Sequence, residues 1–313
     1  MSFLNKFQYH YHSKYLDGII SSKKYSEVFS YLEKLTNDKK IFHDLSLKFV
    51  NQAINKSNQD CSKNRIVWIN SYLTEDNEYI ISFIENYISK ISDVKQNIKL
   101  YQEEISEILL KPETIDFNTL VNQSYFFQWM ILNRQETPFK FIANNLPFFS
   151  SEENFNFTKS NITQAYIFVI NNPYNVYSSI KEKNNNDQEI ARNVFLNLDE
   201  KSFNEDIKDT SFHLSKKGWH TNTLSWTDAN VINSLKGKII SKKELLENTY
   251  DVLSSIILHL IQSGVEIDLN YDLIDQFVKI NPPKNTNKSQ EISQKEKKFL
   301  NSYVEEIADL YDI

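Results

Sequence analysis

Apolar and polar positions recur along this chain with two periods, and the places where the period changes mark its elements. From Ser22 to about Ile54, Tyr25, Val28, Phe29, Leu32 and Leu35, then Ile41, Leu45, Phe49 and Val50, follow helical spacing, with Asn37-Asp38 as the break. This predicts a helical hairpin. Asn55 to Asn64 is polar throughout and reads as a linker, which divides the chain into an N-terminal helical extension, residues 1–60, and a main unit, residues 65–313. The main unit opens with an unbroken apolar run, Ile66 to Ile69. A polar turn follows, then an amphipathic run through Tyr79, Ile80, Phe83, Ile84 and Tyr87, so the stretch reads as strand, turn, helix.

Helical patterns follow near Asn97 to Leu110 and over Leu120 to Asn133, then a short extended run, Phe139 to Ala143. A second strand is predicted over Ala165 to Ile170, with Pro173 suited to the first turn of the helix after it. A polar loop, Lys181 to Asp187, leads to a helix over Gln188 to Leu198. Thr223 to Leu235 reads as helix, Lys238 to Ile240 as a short strand, and Thr249 to Ser263 as an apolar helix ended by Gly264. Pro282 and Pro283 stop a helix that begins near Tyr271. The last element, Ser289 to Tyr311, alternates Lys and Glu but gathers Phe299, Leu300, Val304, Ile307 and Leu310 on one face. Few strands among many helices predict an α/β fold, a parallel sheet wrapped by helices.

Composition narrows the function classes. The chain has 313 residues with 40% hydrophobic content, enough for a large core. A net charge of −6 without a basic stripe gives a nucleic-acid surface no support. The longest apolar stretch, Val252 to Ile261, is too short to span a bilayer, and the N-terminus has no continuous apolar segment of the secretory kind. The single cysteine, Cys61, has no partner for a disulfide or a zinc site. Together these predict a cytoplasmic location. With only 4 glycines, turns that need positive φ must use asparagine, and Asn184-Asn185-Asn186 is such a run.

The strand-turn-helix at Ile66 is the arrangement in which nucleotide enzymes hold phosphate, with glycines for close approach and a lysine for charge. Here the turn reads Leu73-Thr74-Glu75-Asp76. The stretch RIVWINSYLTEDNEYIISFIENY nevertheless resembles the first signature of the sulfotransferase family, a strand K-I-V-W-L-x-S-Y running into P-K-S-G-N-T-W-L and a helix. Ile66, Val67, Trp68, Ser71, Tyr72, Asn77, Phe83, Asn86 and Tyr87 match, and Tyr79 stands for a tryptophan. YIFVINNPYNVYSSI, from Tyr166, is similar to the family's Y-I-V-R-D-P-R-D-V-A-V-S through Pro173, Val176 and Ser179. A third block preserves Trp219, Ser225, Trp226, Leu245 and Leu246. The three stretches keep the family's order over about residues 65 to 265.

For an intact member the resemblance implies a P-loop-like fold and transfer of a sulfuryl group from 3′-phosphoadenosine 5′-phosphosulfate to a hydroxyl or amine. The first turn cradles the phosphosulfate, an arginine and a serine hold the 3′-phosphate, and a histidine removes the acceptor's proton. At those positions this chain carries Thr74 for the lysine, Glu75 for a serine, Asp76 for the glycine, then the matched Asn77. A carboxylate about 5 Å from a phosphate charge is repelled by ~3 kcal/mol at an effective dielectric near 20, so two could cancel most of the ~8 kcal/mol of micromolar binding. Glu75 and Asp76 are expected to cap the following helix themselves. Asn171 and Tyr174 replace arginines, leaving Ser179 as the matched 3′-phosphate contact, and a hydroxyl does not replace a bidentate guanidinium. Asn144 falls at the position of the base, Ile142 at that of its lysine and Ser241 at that of a third-block arginine. Asparagine has no usable proton affinity near pH 7.

These replacements predict a degenerate, non-catalytic sulfotransferase-like protein acting in binding or assembly with a protein or glycan partner and without a cofactor. The alternative is an active enzyme that reaches the nucleotide's phosphates with Lys140, Lys216 or Lys217. A third reading is a helical interaction protein whose partner binding resides in residues 1–60. Among the histidines, His220 is the candidate for a displaced base, two residues before Asn222, where the family often has a histidine facing the acceptor. His10 and His12 flank Tyr9 and Tyr11 on one side of an extended segment, without further ligands for a metal. His43 and His259 sit in helical patterns. The aromatics Tyr125, Phe126, Phe127 and Trp129 are expected to be core.

Overall fold

The computed structural model describes residues 3–35, 38–56, 65–72, 75–91, 99–101, 124–133, 139–146, 148, 157–196, 218–267, 270–283 and 292–311. In chain order its elements are α1 (Phe3–Ser21), α2 (Tyr25–Glu33), α3 (Lys39–Lys56), β1 (Arg65–Ser71), α4 (Glu75–Ile91), β2 (Lys99–Leu100), α5 (Ser124–Asn133), β3 (Phe139–Asn144) and β4 (Thr163–Ile170). There follow α6 (Pro173–Lys183), α7 (Gln188–Leu196), α8 (Trp219–Thr227), α9 (Ala229–Leu235), β5 (Gly237–Ser241), α10 (Lys242–Glu247), α11 (Thr249–Gln262), α12 (Tyr271–Ile280) and α13 (Gln294–Tyr311).

The strands form one five-stranded sheet in the order β2-β3-β1-β4-β5, and every described pairing is parallel. Period-two geometry divides each central strand between two cores. Ile66 and Trp68 of β1, Ile142 of β3, and Tyr166, Phe168 and Ile170 of β4 point to one face. Val67 and Ile69, Phe141 and Ala143, and Ala165, Ile167 and Val169 point to the other. Helices α1 to α3, α5 to α9 and α13 cover the first face, and α4, α10, α11 and α12 cover the second. Trp68 is fully buried, which removes enough apolar surface from water to contribute roughly 4–6 kcal/mol. Its indole N–H donates to Thr163 Oγ1 at 2.9 Å, and Thr163, Thr158 and Gln128 continue a hydrogen-bonded chain to the Phe157 carbonyl, so the polar groups enclosed there are satisfied.

The N-terminal helices share the first core. Phe42 of α3 packs edge-on against Phe127 of α5 at 6.3 Å, joining the extension to the main unit. The predicted hairpin is α2 and α3, and the structure adds α1 before it. His10 and His12 therefore lie on a helix and not on an extended segment. Helical geometry turns residues two apart to different sides, and His12 Nδ1 pairs with the Tyr31 hydroxyl at 2.7 Å. Lys99–Leu100, expected within a helix, is instead the edge strand β2 beside Ile142 and Ala143. The predicted helix over Thr223 to Leu235 is two helices, because Asp228 Oδ1 accepts from the Asn230 and Val231 N–H groups and starts α9. The linker from residue 57 to 64 and the pattern from 102 to 110 lie outside the described residues, as do the side chains of His43, Tyr125, Phe126 and Trp129. Asn185 and Asn186 take φ of 54° and 62°, the turn geometry expected of the asparagine run.

Chain direction sets where a ligand can enter. The chain leaves β1 toward the second face, where α4 packs, whereas it leaves the neighbouring β3 and β4 toward the first, where Leu146, Phe148 and α6 pack. Such a reversal is where open α/β sheets form a ligand crevice, here beyond the carboxyl end of β1.

Candidate functional site

At the carboxyl edge of the sheet, apolar residues give way to amides. Asn70 follows Ile66 and Trp68 on the first face of β1, and its register partner on β3 is Asn144. Both are buried. Asn144 is fully engaged: its Nδ2 donates to the Leu146 carbonyl at 3.3 Å, and its Oδ1 accepts from the Leu146 N–H at 3.1 Å. That pair of bonds closes a turn, so Asn144 acts as a structural brace. Asn70 is different. It is 1% exposed, and among the described residues neither its amide nitrogen nor its amide oxygen has a hydrogen-bond partner.

Helix α8 lies across this edge. Trp226 donates its indole N–H to the Leu146 carbonyl at 2.7 Å, and the Phe148 N–H donates to Ser225 Oγ at 2.9 Å. Tyr166 fixes the helix from below by donating its hydroxyl to the Trp226 carbonyl. The matched residues Trp219, Ser225 and Trp226 are thus packing and docking groups, with Trp219 stacked on Phe195 at 5.4 Å. Asn222, on the same helix, donates to the Asn145 carbonyl at 2.9 Å. Its Oδ1 and the Thr223 hydroxyl are buried without partners among the described residues. An unpaired buried polar group costs about 1–3 kcal/mol, so the edge holds several groups that a ligand could satisfy.

The segment that follows β4 ends at the same edge of the sheet. Asn171, buried, follows β4 directly, and Asn172 Oδ1 caps α6 by accepting from the N–H groups of Tyr174 and Asn175. Pro173 takes the first helical position. Ser179 is half-buried on α6, two turns beyond Asn171. Ser241, at the position of the third-block arginine, caps α10 by accepting from the Glu244 N–H at 3.0 Å.

Other expected residues fall elsewhere. Glu75, Asp76 and Asn77 form the first turn of α4 in backbone, while their side chains, and the whole of Thr74, lie outside the described residues. His220 is separated from Asn222 by two helical positions, which directs it to another side of α8, and its ring packs against Tyr303 of α13 at 6.2 Å. Lys140 is buried opposite Ile66, four residues below Asn144, or roughly 13 Å from the carboxyl edge at a strand rise near 3.3 Å. Lys216 and Lys217 lie outside the described residues. His259 Nε2 pairs with the Lys236 carbonyl, and burial pushes its pKa below the usual histidine value. Burial raises the Tyr72 hydroxyl to about 12, so this matched residue at the crevice stays protonated. Among the described residues no cluster of His, Cys, Asp or Glu could hold a metal ion, and no helix is long and apolar enough to cross a membrane.

Asn70 and Thr223 were absent from the expected site. A period-two reading that continued from Ile66 and Trp68 would have placed the Asn70 amide inside the core. No protein-family model matches the chain, and no curated protein matches it significantly.

Proposed function

We propose that this chain is a sulfotransferase-like protein that neither binds the nucleotide sulfate donor nor transfers sulfuryl groups, and that it binds an uncharged, hydrogen-bonding partner such as a glycan at the carboxyl edge of its sheet. The strand order with β1 central, and the crevice where the chain reverses beyond it, support the P-loop-like part of this reading. The observation that carries the functional part is the buried, unpartnered polar atoms of Asn70, Asn222 and Thr223 at this edge, beside the uncharged Asn144 and Asn171 that stand where a phosphosulfate site needs a base and a cation. Amides supply donors and acceptors without charge, which suits hydroxyl groups and not a polyanion.

The competing reading, an active transferase with displaced lysines, is weakened at Lys140, which starts a strand length away from the crevice. Calorimetry and thermal shift with the desulfated nucleotide, adenosine 3′,5′-bisphosphate, separate the two. A ligand at a hundredfold over its Kd adds ~2.7 kcal/mol of stability. No shift at ~100 μM nucleotide is expected; a shift that implies micromolar affinity, or sulfuryl transfer to any acceptor, overturns the proposal. The third reading is tested by deleting residues 1–60 or by isolating them. Since α3 and α5 share a core, isolated residues 1–60 are expected to lose partner binding.

A further inference from the structure

A second feature lies outside the amide edge. Between the start of α6 and the start of α13 is a hollow of about 1220 Å3, whose lining includes Asn175, Gln188, Asn301, Lys181, Lys297 and Lys298. Among the described residues its lining carboxylate is Glu296, which is committed to the 2.9 Å ion pair with Lys181 and to the hydroxyl and N–H of Ser293. Lys297 and Lys298 are exposed, and their side chains form no ion pair or hydrogen bond among the described residues. On a chain with a formal charge of −6, the hollow therefore presents two lysines that no described carboxylate pairs with, Glu305 being the acid that acts on its Tyr174 wall. Tyr174 donates its hydroxyl to Asn301 Oδ1 at 2.6 Å, which fixes that amide and leaves its Nδ2 as a donor. The Lys181–Glu296 pair holds the two helices together beneath these groups.

We infer that this hollow binds a small polyol carrying one tetrahedral anionic ester, a sulfate or phosphate monoester, with Lys297 and Lys298 on the anion and the amides of Asn301, Asn175 and Gln188 toward the hydroxyls. The volume is ample for a monosaccharide or disaccharide ester, and lysines act on such an anion as point charges. This site does not depend on the reading of the amide edge.

The test is titration calorimetry of the full chain with glucose 6-sulfate, glucose 6-phosphate and glucose. Saturable binding of one or both esters, with none of glucose, is expected, and a preference between the esters identifies the anion. The double variant Lys297→Glu/Lys298→Glu should weaken ester binding at least tenfold. It should still fold, because acidic residues in the first turn of a helix favour its dipole; a circular dichroism melt verifies this. Lys295→Glu, on the same turn but outside the lining, should leave the affinity unchanged. The inference is overturned if neither ester saturates by ~10 mM, if the double variant binds as the native chain does, or if Lys295→Glu weakens binding equally. A signal from adenosine 3′,5′-bisphosphate that disappears in the double variant belongs to this hollow. One that persists belongs to the turn after β1 and counts against the proposed function instead.

Discussion

Lys181 on α6 and Glu296 on α13 meet at 2.9 Å, with the Glu296 side chain 1% exposed. Burial alone would raise the pKa of this carboxyl, but hydrogen bonds from Ser293 and Lys181 outweigh it and hold the value down, from 4.5 to about 2. The folded value lies below the unfolded one, so the contribution is complete above the unfolded pKa and is lost as pH falls through the folded one. Thermal melts should therefore show a loss of roughly 3 kcal/mol between about pH 5 and pH 2, absent from Glu296→Gln. At neutral pH that variant should be less stable by about 3 kcal/mol, because Lys181 is left without its partner. Equal acid sensitivity in both proteins would show that other carboxylates control the acid transition.

Tyr166 and Gly237 face each other across β4 and β5, and a Cβ added at Gly237 would lie 2.3 Å from Tyr166 Cζ. The ring cannot yield freely, since its hydroxyl is bonded to the Trp226 carbonyl and its face packs on the Trp226 indole at 5.0 Å. Gly237→Ala should destabilise the chain by about 1–3 kcal/mol, the range for overpacking a core. Urea unfolding of the variant measures this, and adding Gly237→Ala should cost less in a Tyr166→Phe background, where the hydroxyl 2.4 Å from the added Cβ and the bond that holds the ring are both gone.

Much of the frame was legible in the chain. β1 and β4 are unbroken apolar runs that only a strand buried on both faces requires, and Pro173 marks the start of α6. α1 escaped notice because it buries little: Leu16, Ile19 and Ile20 are buried at its end, while Phe7, Tyr11 and Tyr15 are exposed along its length. β2, two residues long, has no period to read. The boundary at Asp228 was hidden because helical spacing continues through it. At the site, the resemblance pointed to Asn144 and Asn171, but Asn70 fell in the polar turn after the apolar run Ile66 to Ile69. Lys297 and Lys298 read as part of a solvated face, because the sequence does not show that Glu296 turns inward to Lys181 and leaves them unbalanced.

The acidic pair in the first turn of α4 gives a gain-of-function prediction. If Glu75 and Asp76 repel the nucleotide by up to ~3 kcal/mol each, Glu75→Gln/Asp76→Asn should raise affinity for adenosine 3′,5′-bisphosphate at least tenfold over the native chain. Calorimetry in low salt measures this, with Lys297→Glu/Lys298→Glu in the background to silence the hollow between α6 and α13. An affinity unmoved by neutralisation would mean that the missing lysine and arginines, and not the two acids, account for the loss.

Asn70 gives the most direct test of the amide edge as a binding site. Its side chain is enclosed between β3 and β4 with both amide atoms unbonded, a strained state that folding alone does not reward. Asn70→Val places a β-branched apolar residue on a buried strand and removes the unpaired amide. The variant should be about 1–3 kcal/mol more stable than the native chain in urea unfolding, and glycan-array binding should fall to background. A stability gain bought with lost function is the mark of a residue kept for a ligand. Stability lowered by more than 1 kcal/mol would show instead that the amide contributes to the core, and the proposal for this edge would fail.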